Sequence, residues 1–228
     1  MEAPLIEARA LDKSFGPTPI LRGLNFRVAA AHAALIIGQN GAGKSTLVRI
    51  LAGLSTPSAG DALLFGYPSA TLAPDLRARL GVMTHQSFLY PNLTARENLE
   101  FYADLYRLKL AQADIAGWLG RVGLAAAADD RVGSFSRGME QRLSLARALM
   151  PTPDVLLMDE PFTALDGEGA DLAAALLKRA LERGCALVLT AHEPLLTDWN
   201  NLTLYELRRG RLFALTPDAA ERRPLRAG

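Results

Sequence analysis

Eight consecutive residues narrow the possible folds sharply. Gly38, Gln39, Asn40, Gly41, Ala42, Gly43, Lys44 and Ser45 fit G-x-x-x-x-G-K-[ST]. Before them lies a short apolar run, residues 33–37, that reads as a buried strand. After them Leu47, Ile50, Leu51 and Leu54 recur at helical spacing until Pro57 and Gly60 stop the run. Strand, glycine loop and helix in that order form a phosphate cradle. Small residues let backbone N–H groups turn inward, the helix N-terminus adds positive potential, Lys44 reaches β and γ phosphates, and Ser45 can hold Mg²⁺. From average residue usage, the four fixed positions would coincide by chance in a chain this long on the order of one time in a hundred. The strand and helix on either side lower that further.

The rest of the chain supplies an α/β frame for this loop. Its 228 residues are half apolar, enough for one large domain with a proper core. Residues 5–12 and 20–28 read as strands around a turn-rich 14–19. Thr94 and Glu97 form a capping box, and behind it Leu99, Tyr102, Leu105, Tyr106 and Leu108 trace an amphipathic helix. Residues 117–124 and 138–150 are also helix-like, so a helical insertion interrupts the α/β pattern in mid-chain. Residues 155–158 and 186–190 then read as buried strands around a helix at 169–183, and 202–207 with 211–215 as a hairpin. Net charge is only +1, from 25 basic against 24 acidic residues, so no global field draws the chain onto nucleic acid. Cys185 lies in an apolar run and reads as a small buried hydrophobe. Neither a basic start followed by a sustained apolar stretch nor a run of about 18 apolar residues is visible, and a soluble, cytoplasmic protein is expected. Arg222, Arg223 and Arg226 mark a basic tail, expected to be solvated.

Two carboxylates follow the buried strand at 155–158: Asp159 and Glu160, before Pro161. At the C-terminal edge of an interior strand, where α/β sheets place their ligands, Asp159 suits a metal's surroundings and Glu160 can orient or deprotonate water. A polar turn after a strand would look the same. His192 follows the next strand and can converge on the same phosphates, although a lone histidine is usually a satisfied or surface imidazole. His32 and His85 keep that second reading.

Motif order is more specific than any one motif. From residue 5 to about 215 the chain resembles the ABC ATPases: residues 38–45 match their Walker A, Gln86 the Q-loop glutamine, Phe135, Ser136, Arg137, Gly138 and Met139 the signature, and 155–160 the Walker B with its glutamate. Ala164, Leu165 and Asp166 look like the D-loop, and His192 like the switch histidine. Phe15 falls where the family stacks an aromatic ring on adenine. The resemblance implies a P-loop α/β cassette with a RecA-like core, an N-terminal antiparallel β region and a helical subdomain at about 87–150 of a single 1–228 domain. It implies catalytic roles for Glu160, His192 and Gln86. Nucleotide contacts would come from Phe15, the residues 38–45, Thr46, Ser136, Gly138 and Asp166, and Mg²⁺ contacts from Ser45, Gln86 and Asp159.

In such proteins each ATP is shared between two chains, so ATP and Mg²⁺ as cofactors, a homodimer, and an integral membrane subunit that holds the chain at the cytoplasmic face of the membrane are all implied. No nucleic-acid partner is implied. Arg137 stands where a glycine is common and Met139 where a glutamine is. Arg137 must take an ordinary backbone region or be strained by about 1–2 kcal/mol, and its charge faces either phosphate or solvent. The signature and residues 159–166 are similar to exporter subunits, in particular the haem exporter of cytochrome c maturation and the ABC-2 drug and polysaccharide exporters. A soluble ABC ATPase working on ribosomes or chromosomes would bring tandem cassettes, a long coiled coil or a basic face. A non-hydrolysing interaction subunit would have lost Lys44 or Glu160, and a small-molecule kinase would lack the signature.

Overall fold

The computed structural model describes residues 3–194 and 199–215. The basic tail with Arg222, Arg223 and Arg226 lies outside them. β1 (Ile6–Phe15) and β2 (Thr18–Val28) form an antiparallel hairpin in which Phe15 faces Thr18. The expected turn over 14–19 therefore contracts to Gly16 and Pro17. Pro19 fits within β2 because that strand lies at a sheet edge, where a missing N–H breaks no ladder. β3 (Ala33–Ile37) leads through the 38–43 loop into α1 (Lys44–Leu51). The helix stops earlier than Leu54. The Gly53 N–H turns back to the Ile50 carbonyl and the Leu54 N–H to that of Arg49, which is a Schellman stop, so Pro57 is not what ends it.

Residues 59–83 hold elements that the apolar pattern does not announce: β4 (Ala59–Leu64), β5 (Tyr67–Pro68), the single turn α2 (Pro74–Arg77) and β6 (Leu80–Met83). α3 (Ala95–Leu105) carries the capping box, with the Glu97 N–H on Thr94 Oγ1 at 3.1 Å and the Thr94 N–H on Glu97 Oε2 at 2.8 Å. Its expected extension to Leu108 is cut by Arg107 at φ 55, with the Leu108 N–H returning to the Ala103 carbonyl. α4 (Gln112–Arg121) starts five residues before the expected 117 because Asp114 accepts the Ala111 N–H at 2.8 Å and fixes the first turn there. The chain continues through α5 (Arg137–Leu149), β7 (Val155–Met158), α6 (Gly167–Glu182), β8 (Ala186–Ala191), β9 (Leu202–Arg208) and β10 (Arg211–Leu215).

Two sheets result: an antiparallel one ordered β2-β1-β4-β5, and a mixed one ordered β10-β9-β3-β8-β7-β6, parallel except for the β9–β10 hairpin. β3, β7 and β8 of the mixed sheet are buried on both faces, which is why they read as unbroken apolar runs. Leu35, Leu156, Met158, Leu187 and Leu189 face the helices α3 to α6. Ile36, Leu157 and Val188 face the opposite way, onto Leu47, Ile50 and Leu51 of α1 and onto Ile6, Leu11 and Leu24 of the antiparallel sheet. α1 is thus wedged between the two sheets, and its N-terminus is fixed at one sheet edge. Cys185 is 3% exposed, and burial first, with Asp154 adding to it, pushes its thiol up to about 12.

Candidate functional site

β3, β7 and β8 are parallel neighbours, so their C-terminal ends open on the same edge of the sheet. The loop after β3 delivers Lys44, the turn after β7 delivers Asp159 and Glu160, and the end of β8 delivers Thr190 and His192. Gly43 precedes α1 at φ 105, and a Cβ there would meet Leu21 Cδ2 at 2.8 Å, so only glycine lets the loop close onto the antiparallel sheet. Between this loop and the sheet lies a cleft of about 370 Å³, lined by Phe15, Ile20, Gln39, Asn40, Gly41, Ala42, Gly43, Lys44, Ser45, Thr46, His85 and Glu160. Phe15 is 56% exposed at its mouth, with Lys13 Nζ 4.8 Å from the ring centre. A half-exposed aromatic ring at the mouth of a cleft is suited to stacking.

Lys44 is buried. Its Nζ donates to the Gly38 carbonyl at 2.7 Å and lies 3.3 Å from Glu160 Oε1. Glu160 Oε2 meets His192 Nε2 at 3.0 Å. The Glu160 backbone stands at φ 54, an uncommon region for a residue with a Cβ, and neighbours hold it there. Its N–H donates to Thr190 Oγ1 at 2.9 Å, and its carbonyl accepts from Gln141 Nε2 at 3.0 Å. Thr190 Oγ1 in turn donates to Asp159 Oδ1 at 2.7 Å, so one buried hydroxyl sets both carboxylate positions. Burial alone would raise the Glu160 carboxyl. The hydrogen bond from Lys44 and the charges of His192 and Lys44 outweigh it and hold the group below its ordinary value.

The remaining sequence candidates are placed differently. Gln86 is exposed and does not line the cleft; its carbonyl accepts from Thr84 Oγ1 at 3.0 Å. Its neighbour His85, read as an ordinary surface histidine, lines the cleft instead, with Nε2 at 3.3 Å from Asp159 Oδ2. Ser136, Gly138 and Asp166 stand off this cleft. Ser136 caps α5 by accepting the Met139 N–H, and Asp166 caps α6 by accepting the Gly169 N–H at 2.8 Å. Arg137 is the first residue of α5 and takes an ordinary helical backbone, so it carries no positive-φ strain. Thr190 and Gln141 were not singled out in the sequence, since hydroxyl and amide groups gain meaning only from what lies opposite them. His85 was missed because β6 went unread, and with it the alternation at that strand's end.

Residues 21–163 match the family described as ABC transporter. Among curated proteins, the "Nod factor export ATP-binding protein I" of Paraburkholderia xenovorans (strain LB400) is 40% identical over 194 residues, or 84% of this chain. The chain spans 64% of that relative's length. A solved structure described as the ATP-binding subunit of an ABC transporter superposes with a TM-score of 0.81 at 25% identity, covering 92% of this chain and 90% of the other. A dimeric ATP-binding cassette in a post-hydrolysis state with ADP and Pi superposes with a TM-score of 0.80 at 25% identity, covering 92% and 99%.

Proposed function

The chain belongs to the ABC transporter family, and from that premise we propose that it binds and hydrolyses ATP in a two-chain sandwich to drive export through a separate membrane subunit. The observation that supports this most is the convergence of Lys44, Glu160 and His192 beside the glycine loop, at one edge of the parallel sheet. The adenine stacks on Phe15, and the phosphates lie along the N–H groups of residues 40–46 at the start of α1. Lys44 leaves Glu160 for the β and γ phosphates, which frees the carboxylate. Glu160 then takes a proton from the attacking water, and His192, 3.0 Å from its Oε2, holds that carboxylate in place. The donor set fits Mg²⁺: the Ser45 hydroxyl lines the cleft, and Asp159 keeps Oδ2 clear of the Thr190 bond that fixes Oδ1. Ser45 and Asp159 would hold the ion, which when bound offsets phosphate charge; Gln86 would have to turn inward to join them.

In this reading residues 1–228 are one cassette, with 87–150 an inserted helical subdomain. A second copy closes the site through Ser136, Gly138 and the N-terminus of α5, with Asp166 beside them. The solved dimeric cassette supports the pairing. No helix among the described residues is long and apolar enough to cross a membrane, in keeping with a chain held at the cytoplasmic face by a membrane subunit. Phe88, Tyr90, Phe101 and Leu105 form an exposed apolar face on and before α3, next to Gln86, and suit docking of that subunit's cytoplasmic helix. Export is supported by the relative's name. Haem export for cytochrome c maturation is the finer reading carried by residues 159–166, and co-purification of the chain with its membrane partner decides the cargo. For the nucleotide site, calorimetry on Lys44→Ala should find ATP binding lost while the fold is kept, because a phosphate counter-charge goes, with thermal unfolding shifted down since buried Glu160 loses its cation. Near-normal ATP affinity in that variant contradicts the assignment.

A further inference from the structure

We propose that the β9–β10 turn, with Arg208, Arg209 and Arg211 beside Arg22, is an electrostatic guide that speeds capture of the nucleotide polyanion by the cleft. The role rests on the proposed ATP reaction and gives that site residues that act on the encounter without touching the seated ligand.

Two backbone contacts set this turn against the cleft. β9 runs parallel to β3 with Glu206 opposite Ile37, so it ends at the same sheet edge as the 38–43 loop. There the Leu207 carbonyl oxygen lies so near Gly38 that a Cβ on that glycine would meet it at 2.6 Å. On the other side the Arg22 N–H donates to the Gly210 carbonyl at 2.7 Å, and a Cβ on Gly210 would meet the Ile20 carbonyl oxygen at 2.6 Å. Ile20, and Gln39 next to Gly38, line the cleft. Arg208, Arg209 and Arg211 each adjoin Leu207 or Gly210 in the chain, and with successive Cα atoms about 3.8 Å apart their backbones stand within roughly 10 Å of the cleft wall. That is close to one screening length at physiological salt, about 8 Å.

Charge is concentrated at this turn. The whole chain carries only +1, too little to draw an anion from a distance. Residues 207–211 hold three arginines and no acid, with Glu206 the carboxylate next to them in sequence. Arg22, Arg208, Arg209 and Arg211 are all exposed, and Arg208 is braced on the Phe213 ring, 5.2 Å from its centre. Lys13, beside Phe15, adds a cation of the same sign at the mouth. Such a field lowers the energy of an approaching polyphosphate, whereas the seated phosphates are held by Lys44 and the loop N–H groups. The guide therefore belongs to the association rate and not to the dissociation rate. Arginines that merely solvate a hairpin turn would leave both rates unchanged.

Stopped-flow binding of a fluorescent ATP analogue separates the two cases. The triple variant Arg208→Gln, Arg209→Gln, Arg211→Gln should associate about three- to tenfold more slowly than wild type at low salt and dissociate within about twofold of it. The gap should close at high salt. A second triple variant, Arg107→Gln, Arg121→Gln, Arg131→Gln, removes the same charge from exposed positions that do not line the cleft, and should bind at the wild-type rate. Thermal unfolding checks that both variants are folded. Equal association rates in wild type and the turn variant overturn the proposal, as does an equal slowing in both variants, which would assign the effect to net charge. Those outcomes leave the nucleotide reading standing. A wild-type chain that binds no ATP analogue at any salt overturns that reading and the guide with it.

Discussion

Glu160 is where the fold spends conformational freedom on chemistry. A side-chain-bearing residue at φ 54 costs about 1–2 kcal/mol, and three neighbours, Thr190, Gln141 and Lys44, keep it there. The sequence places its carboxylate at a strand end but contains no sign of this backbone twist, which arises from partners 19 to 116 positions away in the chain, by their residue numbers. Its charge also has a consequence for stability. The carboxyl is held below its ordinary value of 4.5, so the folded state binds that proton less readily than the unfolded chain. The resulting stabilisation is full above about pH 4.5 and is lost as acid carries the group through its lower folded value. Thermal unfolding of the nucleotide-free wild type and of Glu160→Gln should show a wild-type advantage at neutral pH that narrows in acid. An advantage of constant size across that range would mean that the charge contributes nothing.

Among elements, α5 ties one end of the candidate site to the other. Its N-cap Ser136 and first residues are the proposed contact with a second chain, while Gln141, one turn further on, bonds the Glu160 carbonyl. Gly138 allows the D-loop-like turn to pass closely: a Cβ there would lie 2.9 Å from the Ala164 carbonyl oxygen. Gly138→Ala should therefore cost about 1–3 kcal/mol through overpacking. Gly167→Ala, where nothing lies within 4 Å, should be near neutral. Urea unfolding of both variants makes the comparison, and equal stabilities would show that the contact is slack.

Elements with strong periodicity were legible in the sequence: β3, β7 and the β9–β10 hairpin match their expected spans closely, and α3 matches at its capped start. β4 to β6 were not. β4 is exposed over its first three residues, β5 has two residues, and β6 has four, so none offers a long enough pattern. What identifies them is pairing, β4 with β1, β5 with β4 and β6 with β7, and pairing partners are not local information.

At the scale of the molecule, α1 between two sheets and the helices on the far face explain how a six-residue loop becomes a rigid cradle. The sheets fix β3, β7 and β8 in register, and their ends need no further adjustment to bring Lys44 against Glu160. The cleft itself is open, and the groups proposed to close it, Ser136 and the start of α5, stand off it within one chain. The account therefore requires two copies, each closing the other's site. Light scattering on Glu160→Gln, which can bind ATP but cannot take the proton from water, tests this directly. Saturating Mg-ATP should double the mass, and adding Ser136→Arg should return it to that of one chain by placing bulk and charge at the contact. A Glu160→Gln protein that stays monomeric at saturating ATP, or a Ser136→Arg double variant that still pairs, would contradict the shared site.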